Sequence, residues 1–158
     1  MAITYEDFLM TVPVAHQVFV AGLHDHLIGL GCKLNLKAAK SGYVVSYQWN
    51  KKTIMNWVFR KAGVLARLYG DNAGRYESVI AALPADMQKK MTGASDCKRL
   101  HDSAPCSSRC VMGMVYNLNV DIYKKCRYDG MFFLLTAESG PHIKELASSE
   151  ISARKAAS

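Results

Sequence analysis

The chain of 158 residues is 50% hydrophobic and 21% charged, a balance that excludes an intrinsically disordered protein. Its length fits one domain that buries roughly 70% of its unfolded surface, and no apolar run reaches the roughly 18–20 residues of a membrane span. Twenty lysines and arginines against thirteen aspartates and glutamates give a net charge of +7. This charge permits weak nucleic-acid binding, but it does not require it, because the cations form no long run.

The first predicted elements are two helices. Thr4 and Asp7 have the spacing of a capping box, which predicts a short helix that Pro13 interrupts. Pro13 suits the first turn of a second, longer helix, which is predicted to end at Gly29 and Gly31. One apolar face of this longer helix is formed by residues at helical spacing, Ala15, Phe19, Leu23, Leu27 and Leu30.

An alternating pattern follows the helices and predicts four strands. The strands cover residues 33–37, 43–49, 53–60 and 64–69, and short polar turns join them. Four strands that are connected in this way form an antiparallel meander. With helices packed mainly on one side, the pattern predicts an α+β fold rather than a parallel α/β fold.

The C-terminal half is predicted to place helices around a cysteine-bearing loop. One helix follows Asn72, a second opens at Pro84, and the last begins at Ser139. The stretch between the second and last helices holds a loop and two strands, at residues 92–109, 112–118 and 122–127. Asp129-Gly130 is a strong hairpin signal in front of a further strand, residues 131–135.

We therefore predict a single α+β domain over residues 1–152, with a flexible tail at residues 153–158. Within the domain, residues 92–128 form a cysteine-rich loop and hairpin. The first ten residues lack the charged and apolar regions of a secretory signal peptide. We expect a cytoplasmic monomer or homodimer with reduced thiols and no membrane partner.

Four of the five cysteines, Cys97, Cys106, Cys110 and Cys126, form the most chemically informative cluster in the chain. Cys106 and Cys110 are three residues apart, which suits one half of a tetrahedral zinc site, and Cys97 and Cys126 would complete the ligands. A structural zinc site is the favoured interpretation, with His101 as a substitute ligand. Two alternatives stay open, namely reduced thiols partly buried beside the sheet and disulfide or redox chemistry.

Six cations lie within a few residues of these thiols: Lys98, Arg99, Arg109, Lys124, Lys125 and Arg127. Thiolates around Zn²⁺ carry a net negative charge, which neighbouring cations would stabilise while lowering the thiol pKa values. The alternative is a phosphate-facing patch on the loop. We favour the first interpretation, because base stacking needs aromatic residues and these lie on the strands. The fifth cysteine, Cys32, is predicted to fill the core.

The strands carry a second candidate site. Aromatic and apolar residues alternate on one face of the second strand and one face of the third, as Tyr43, Val45, Tyr47 and Trp49, and as Met55, Trp57 and Phe59. A face of this kind that no helix covers can stack on a base or a flat ligand. The candidate ligand-binding residues are Tyr47, Trp49, Trp57, Arg60 and Arg67. The alternative is core packing, the commoner role of such alternation.

No GxGxxG, Walker-type loop, HExxH or GxSxG motif occurs, so an enzyme is the less favoured class. The favoured function is a cytosolic, non-enzymatic module with a structural zinc site, which binds a small ligand or macromolecule through its sheet face or basic loop. The alternative is a thiol-based redox sensor or enzyme that uses the four-cysteine cluster.

Two stretches carry a family resemblance. The pattern KxNxKxxKxGYxVSY at residues 33–47, followed by IxxWVFRKxGxxxRLY at 54–69 and YxxxxxxLP at 76–84, resembles small bacterial α+β proteins of the YdhG-like domain of unknown function. The cysteine-bearing stretch around Cys97, Cys110 and Cys126 is similar to uncharacterised bacterial proteins of this length. Together the resemblances cover residues 5–150. They imply the fold class but no activity, and the YdhG-like group has no cysteine cluster to map onto this chain.

Overall fold

A computed structural model describes residues 3–40, 42–102 and 113–157. Over these residues the chain forms a five-stranded antiparallel sheet, a separate two-stranded sheet and helices, which confirms the predicted α+β class. The helices are α1 (Tyr5–Thr11), α2 (Val14–Gly29), α3 (Glu77–Ala81), α4 (Ala85–Thr92), α5 (Lys98–Asp102) and α6 (Ser139–Ala157). The strands are β1 (Lys33–Ala39), β2 (Gly42–Trp49), β3 (Lys52–Arg60), β4 (Gly63–Leu68), β5 (Met114–Leu118), β6 (Asp121–Lys125) and β7 (Phe132–Leu134).

The first two helices begin at, or one residue from, the positions that local chemistry predicts. The Thr4 hydroxyl accepts the backbone N–H of Asp7 at 3.1 Å, and the Asp7 carboxylate accepts the N–H of Thr4 at 3.0 Å. This reciprocal capping box holds the pKa of Asp7 below its usual value, chiefly through the backbone hydrogen bond. α2 then starts directly after Pro13, which is its N-cap residue and not part of its first turn. The predicted start of α1 is confirmed, and that of α2 is one residue later than predicted.

The large sheet has the strand order β1-β2-β3-β4-β7, and all neighbouring strands are antiparallel. Its first four strands are the predicted meander. The turn between β2 and β3 consists of Asn50 and Lys51, whose φ angles of 51° and 67° both lie in the left-handed region. A two-residue turn of this kind matches the right-handed twist of the strands that it joins.

The two faces of the sheet differ because successive side chains on a strand point in opposite directions. We call the inner face the one formed by Leu34, Leu36, Val45, Tyr47, Met55, Trp57, Phe59, Val64, Ala66, Leu68 and Phe133. Helices α1, α2 and α6 cover it. Phe8 of α1 packs edge-on against Phe59 at 5.9 Å between ring centroids, and α6 contacts β3, β4 and β7. The main core lies between these helices and the inner face.

The outer face is formed by the alternate residues, Lys33, Asn35, Lys37, Val44, Ser46, Gln48, Asn56, Val58, Arg60, Leu65, Arg67, Phe132 and Leu134. Over β1 to β3 this face is open to solvent or only partly buried. Over β4 it is enclosed, since Leu65 and Arg67 are both buried. The helices are thus gathered mainly on one side, as predicted.

The pairing predicted for Asp129-Gly130 is wrong. These residues lie in a turn, but β6 and β7 belong to different sheets, and β7 pairs with β4 instead. That pairing places Phe133 beside Ala66 on the buried inner face. Gly130 serves close packing, because a Cβ there would lie 2.6 Å from the carbonyl oxygen of Cys126. Long-range burial, which the local turn signal does not report, selects the strand partner.

The last helix extends past the boundary predicted at residue 152. α6 begins at Ser139, as predicted, but runs through Ala157. Ala153 and Arg154 are buried, and the Arg154 guanidinium donates to the Glu150 carboxylate and to the carbonyl of Tyr69. These contacts hold residues that the prediction assigned to a flexible tail. Of the helices over the described residues, none is long and apolar enough to span a membrane.

Candidate functional site

The outer face carries cations and no carboxylate. Lys33 and Lys37 lie on β1, Arg60 lies at the end of β3, and Arg67 lies in the middle of the enclosed part. None of the four makes a salt bridge within the described ranges. The uncovered side of the sheet is therefore positively charged as a whole rather than balanced by ion pairs.

The sequence contains the same signal in another form. Residues 26–70 contain eight lysines and arginines and no aspartate or glutamate, whereas the other 113 residues contain twelve cations against thirteen acids. The net positive charge of the chain therefore resides in the meander. The sequence-based prediction missed this, because it looked for runs of cations and not for a long stretch that lacks acids.

Three further lysines lie in the turns at the ends of the meander. Lys40 lies in the β1–β2 turn, Lys51 in the β2–β3 turn and Lys61 in the β3–β4 turn. All three are exposed. They belong to the acid-free stretch and extend its charge to both ends of the strands. The cationic surface is thus about as long as the strands themselves, roughly 20–25 Å for seven or eight residues.

Arg67 is the buried member of this cationic surface. Its Cζ atom lies 4.1 Å from the ring centroid of Tyr128 and 4.5 Å from that of Phe132. Both distances are typical of cation–π contacts. The rings hold the guanidinium at the surface of the sheet, so its position is fixed by packing rather than by an ion pair.

The five residues predicted to bind a ligand do not come together. Tyr47 and Trp57 point to the inner face and are fully buried beneath the helices, and Trp49 packs beside Gly31 and against the core. Arg60 and Arg67 point to the opposite side of the sheet. A ligand surface built on Tyr47 and Trp57 is therefore excluded, because the alternation of side chains along their strands places both rings in the core.

Two of the four clustered cysteines share one cavity. Asp96 and Lys125 form an isolated antiparallel bridge, flanked by hydrogen bonds from the Cys97 N–H to the Lys124 carbonyl at 3.0 Å and from the Cys126 N–H to the Ser95 carbonyl at 2.6 Å. Cys97 and Cys126 therefore project from the same side of this short ribbon. They line a cavity of about 170 Å³, and both are free thiols.

The rest of the predicted zinc site cannot be placed. Cys106 and Cys110 lie outside the described residues, as does Arg109. Over residues 3–40, 42–102 and 113–157, no group of three histidine, cysteine or acidic side chains is arranged to hold a metal. Gly113, the first described residue after this gap, packs on Cys97. A Cβ at Gly113 would lie only 2.7 Å from the Cys97 sulfur.

Two of the six cations near the thiols have acidic partners within the described residues. Lys125 donates to Asp96 at 2.8 Å, which lowers the pKa of that carboxyl, and Arg127 lies 3.3 Å from Asp71. His101 lies 3.9 Å from Asp96 on the exposed side of the same ribbon. These pairs weaken the case for a phosphate-binding loop, because the Lys125 and Arg127 charges are partly neutralised within the protein.

Cys32 is placed as predicted, in the main core beneath the inner face. Burial raises the pKa of its thiol to about 11. A thiol with this pKa is almost entirely protonated at neutral pH, so it is a poor nucleophile and a poor metal ligand. Cys32 therefore takes no part in the candidate chemistry.

A second polar cluster lies under α6. The buried Glu150 carboxylate accepts hydrogen bonds from the Asn72 backbone at 3.0 Å, the Tyr76 hydroxyl at 2.7 Å and the Arg154 Nε at 2.8 Å. Burial, with the nearby Glu150 charge, raises the pKa of Tyr76. Because the Glu150 carboxylate is fully engaged by protein donors, this cluster fastens α6 to the segment after β4 and offers no open reactive group.

Comparison of the chain with protein-family models, with curated proteins and with solved structures finds no match. The YdhG-like resemblance therefore stays a prediction, and the functional argument depends on the geometry of the chain alone.

Proposed function

We propose that the protein is a non-enzymatic module that binds single-stranded nucleic acid weakly, through the outer face of its large sheet. The observation that carries this proposal is the charge of that face, which includes Lys33, Lys37 and Arg60 and no carboxylate. A polyanion that lies across such a surface releases its condensed counterions, and this release supplies most of the affinity in sequence-independent binding.

The shape of the surface fits an extended strand better than a duplex groove. The outer face is an open sheet over β1 to β3, and the described residues place no protruding helix there that could enter a groove. Lys33 and Lys37, four residues apart on one edge strand, are separated by about 13 Å along the strand. They can therefore contact different phosphates of one backbone.

The expected affinity is low because the surface has few rings on which bases could stack. The outer face presents Phe132, and Tyr128 lies beside it with 65% of its surface exposed. Stacking contributes strongly to tight single-strand binding, and proteins of that kind use several aromatic residues. Binding through this face is thus expected to depend on salt and to tolerate many sequences.

The test measures the fluorescence anisotropy of a labelled oligothymidylate as salt is varied. The triple variant K33Q/K37Q/R60Q should lower the affinity and flatten the slope of log K against log salt by roughly 2, because each lost phosphate contact removes about 0.7 on a single strand. All three side chains are exposed, so folding should be unaffected.

The matched control is K89Q/K90Q/K144Q, which removes the same charge from exposed positions on α4 and α6. It should change the slope by less than half as much, because those lysines lie off the outer face. Equal effects of the two triple variants would show that only net charge matters, and the proposed binding surface would be rejected.

A structural zinc site at the four cysteines is a second proposal, with an observation of its own. Cys97 and Cys126 project into one cavity. Cys110 precedes Gly113 by three residues, a span of at most about 11 Å even when extended, and Gly113 packs on Cys97. Reduced thiols in the cytoplasm, where we infer that the protein works, would suit a thiolate-bound metal.

Metal analysis of protein purified without added metal tests the zinc proposal. The wild type should contain about one zinc per chain, Cys97→Ser should lose it, and Cys32→Ser should keep it. A metal-free wild type whose mass falls by two hydrogens on mild oxidation, and not after Cys126→Ser, would favour the thiol-based redox alternative.

A further inference from the structure

One cation of the outer face is buried and has no counter-ion. Arg67 is only 9% exposed, yet its guanidinium makes no hydrogen bond or ion pair in the part of the chain that the structure describes. Its Nε atom is enclosed without a partner. The residues outside that part contain no aspartate or glutamate, and Asp102 is the one acid whose side chain is not described.

A guanidinium in this position remains positively charged. Arginine stays protonated in proteins, so burial cannot neutralise it as it would a lysine or a carboxyl group. A charge that is buried without an ionic partner is costly, and an apolar side chain of similar length would pack at this site without that cost. The rings of Tyr128 and Phe132 offset part of the cost, but neither ring carries a charge that would neutralise the guanidinium.

Among the described side chains, the surroundings of Arg67 are polar but contain no acid in contact with it. Asn56 lies directly across from it on β3, with its Oδ1 atom buried and unpartnered and its Nδ2 atom donating to the Tyr69 hydroxyl at 3.1 Å. The Tyr69 hydroxyl accepts that bond and so retains its own hydrogen to donate. Arg127 packs over the Tyr69 ring at 5.4 Å, and its charge pairs with Asp71.

The contacts of Arg67 with two rings suit recognition of an oxyanion. The rings restrict the motion of the guanidinium, so little freedom is lost when an anion binds to it. Because Nη1 and Nη2 have no partner and are not among the enclosed atoms, the edge formed by these atoms reaches the surface. Two parallel N–H groups on one edge match two oxygens of a phosphate.

We propose that Arg67 is a preformed subsite for one phosphate group. The group is either a phosphate of the nucleic-acid backbone, in which case this inference rests on the function proposed above, or free inorganic phosphate. The exposed lysines supply diffuse attraction along the outer face, whereas Arg67 holds a single phosphate in a fixed orientation. The Tyr128 ring, which is largely exposed beside it, gives the adjoining base a surface on which to stack.

A purely structural role makes a different prediction. If Arg67 only holds Tyr128 and Phe132 to the sheet through cation–π contacts, its guanidinium should be indifferent to phosphate at constant ionic strength. Substitution would then change stability but not the response to anions. Direct observation of the guanidinium in the wild type separates the two roles without relying on a variant that folds.

The decisive experiment is a titration of ¹⁵N-labelled wild type with inorganic phosphate, with chloride at matched ionic strength as control. The enclosed Nε–Hε group of Arg67 should give a protected resonance, assigned by its absence in Arg67→Lys. We expect this resonance to shift saturably with phosphate and not with chloride. An unchanged resonance at saturating phosphate would overturn the inference.

Oligonucleotide binding separates failure of this inference from failure of the proposed function. Arg67→Lys keeps the charge and removes the fork, and should weaken oligothymidylate binding about tenfold. If Arg67→Lys binds like the wild type while K33Q/K37Q/R60Q is impaired, Arg67 does not contact the nucleic-acid backbone and the cationic face stands; the phosphate titration then either assigns the subsite to free phosphate or rejects it. If phosphate shifts the Arg67 resonance but neither variant affects oligonucleotide binding, the subsite serves free phosphate and the nucleic-acid proposal is rejected.

Discussion

The two faces of the large sheet are made by the same strands but follow opposite rules. The inner face takes the large side chains, such as Tyr47 and Trp57, and buries them completely. The outer face receives four of the five lysines and arginines of the same strands and no acid, and the fifth, Lys52, pairs with Trp49 beside the β2–β3 turn. One residue of displacement along a strand moves a side chain between these environments. On this fold, residue type alone therefore does not identify a binding residue. Whether a side chain is available to a ligand depends on which face of the sheet its position along the strand gives it.

The aromatic residues show the practical consequence. An aromatic residue on a strand is a candidate for stacking until its face is known, and Tyr47 and Trp57 looked equivalent to any exposed ring in the sequence. The exposed ring beside the cationic face is Tyr128, which lies in a turn after β6 and not on a strand. The alternating pattern could not single it out, because it belongs to no alternation.

Trp57→Ala should show the largest difference between the faces. Trp57 is fully buried on the inner face, so removing its indole should lower the free energy of unfolding by about 4 kcal/mol. Val58→Ala, the next residue on the same strand, faces outward and should cost less than about 1 kcal/mol. Urea unfolding followed by circular dichroism measures both values.

Trp57→Phe is the matched control for this comparison. The indole Nε1 of Trp57 is buried without a hydrogen-bond partner, so its loss carries no hydrogen-bond penalty. We expect Trp57→Phe to cost about 1–2 kcal/mol, the packing term alone. Equal costs for Trp57→Ala and Val58→Ala would contradict the assignment of the two faces.

Much of this fold follows from local sequence signals. The capping box at Thr4 and Asp7, the meander and the start of α6 at Ser139 each depend on residues close together in the chain, and all three are confirmed. The pairing of β7 with β4 joins residues more than 60 positions apart. Local turn chemistry at Asp129-Gly130 carries no information about so distant a partner.

The candidate site divides in the same way. The acid-free stretch from residue 26 to residue 70 is visible in the sequence, but only the strand register shows that its cations share a face with Arg67. The rings over Arg67 come from β7 and from the turn before it, and both reach β4 through the pairing that the sequence did not predict. A site assembled across long sequence separations requires the topology first.

Glu150→Ala tests the buried polar cluster under α6. The Glu150 carboxylate is almost fully buried and pairs with the buried Arg154 guanidinium at 2.8 Å. Removing it leaves Arg154 charged and without its main partner, so we expect a loss of about 3 kcal/mol of stability. Thermal or urea unfolding provides the measurement.

The double variant Glu150→Leu with Arg154→Met is the control. It removes both charges together, so no unpaired charge is left in the interior, and it should recover at least half of the lost stability. Removal of charges from the outer face, as in K33Q/K37Q/R60Q, should leave stability within about 0.5 kcal/mol of the wild type. If Glu150→Ala were as stable as the wild type, the Glu150 contacts would not stabilise the packing of α6 on the segment after β4.

His24 should give the smallest effect, and it links α2 to the inner face. Its Nδ1 atom lies 2.9 Å from the Tyr47 hydroxyl, and its ring stacks on Tyr5 with centroids 4.0 Å apart. Burial lowers the pKa of His24, although the nearby Asp25 and Glu6 charges oppose this. Since the ordinary value is about 6.5, the unfolded chain binds a proton at His24 more readily than the folded chain does.

The sign of the pH effect follows from that difference. Stability contributed by neutral His24 is present above the unfolded pKa of about 6.5 and is lost as the pH falls through it, because protons then favour the unfolded chain. Urea unfolding at pH 8 and pH 5.5 should show a larger loss in the wild type than in His24→Gln, and an NMR titration should place the His24 pKa below about 6.5. The outer face has no histidine, so K33Q/K37Q/R60Q should retain the wild-type pH dependence of stability. A His24 pKa at or above the ordinary value would contradict this prediction. It would show that the charges of Glu6 and Asp25 raise the pKa by more than burial lowers it.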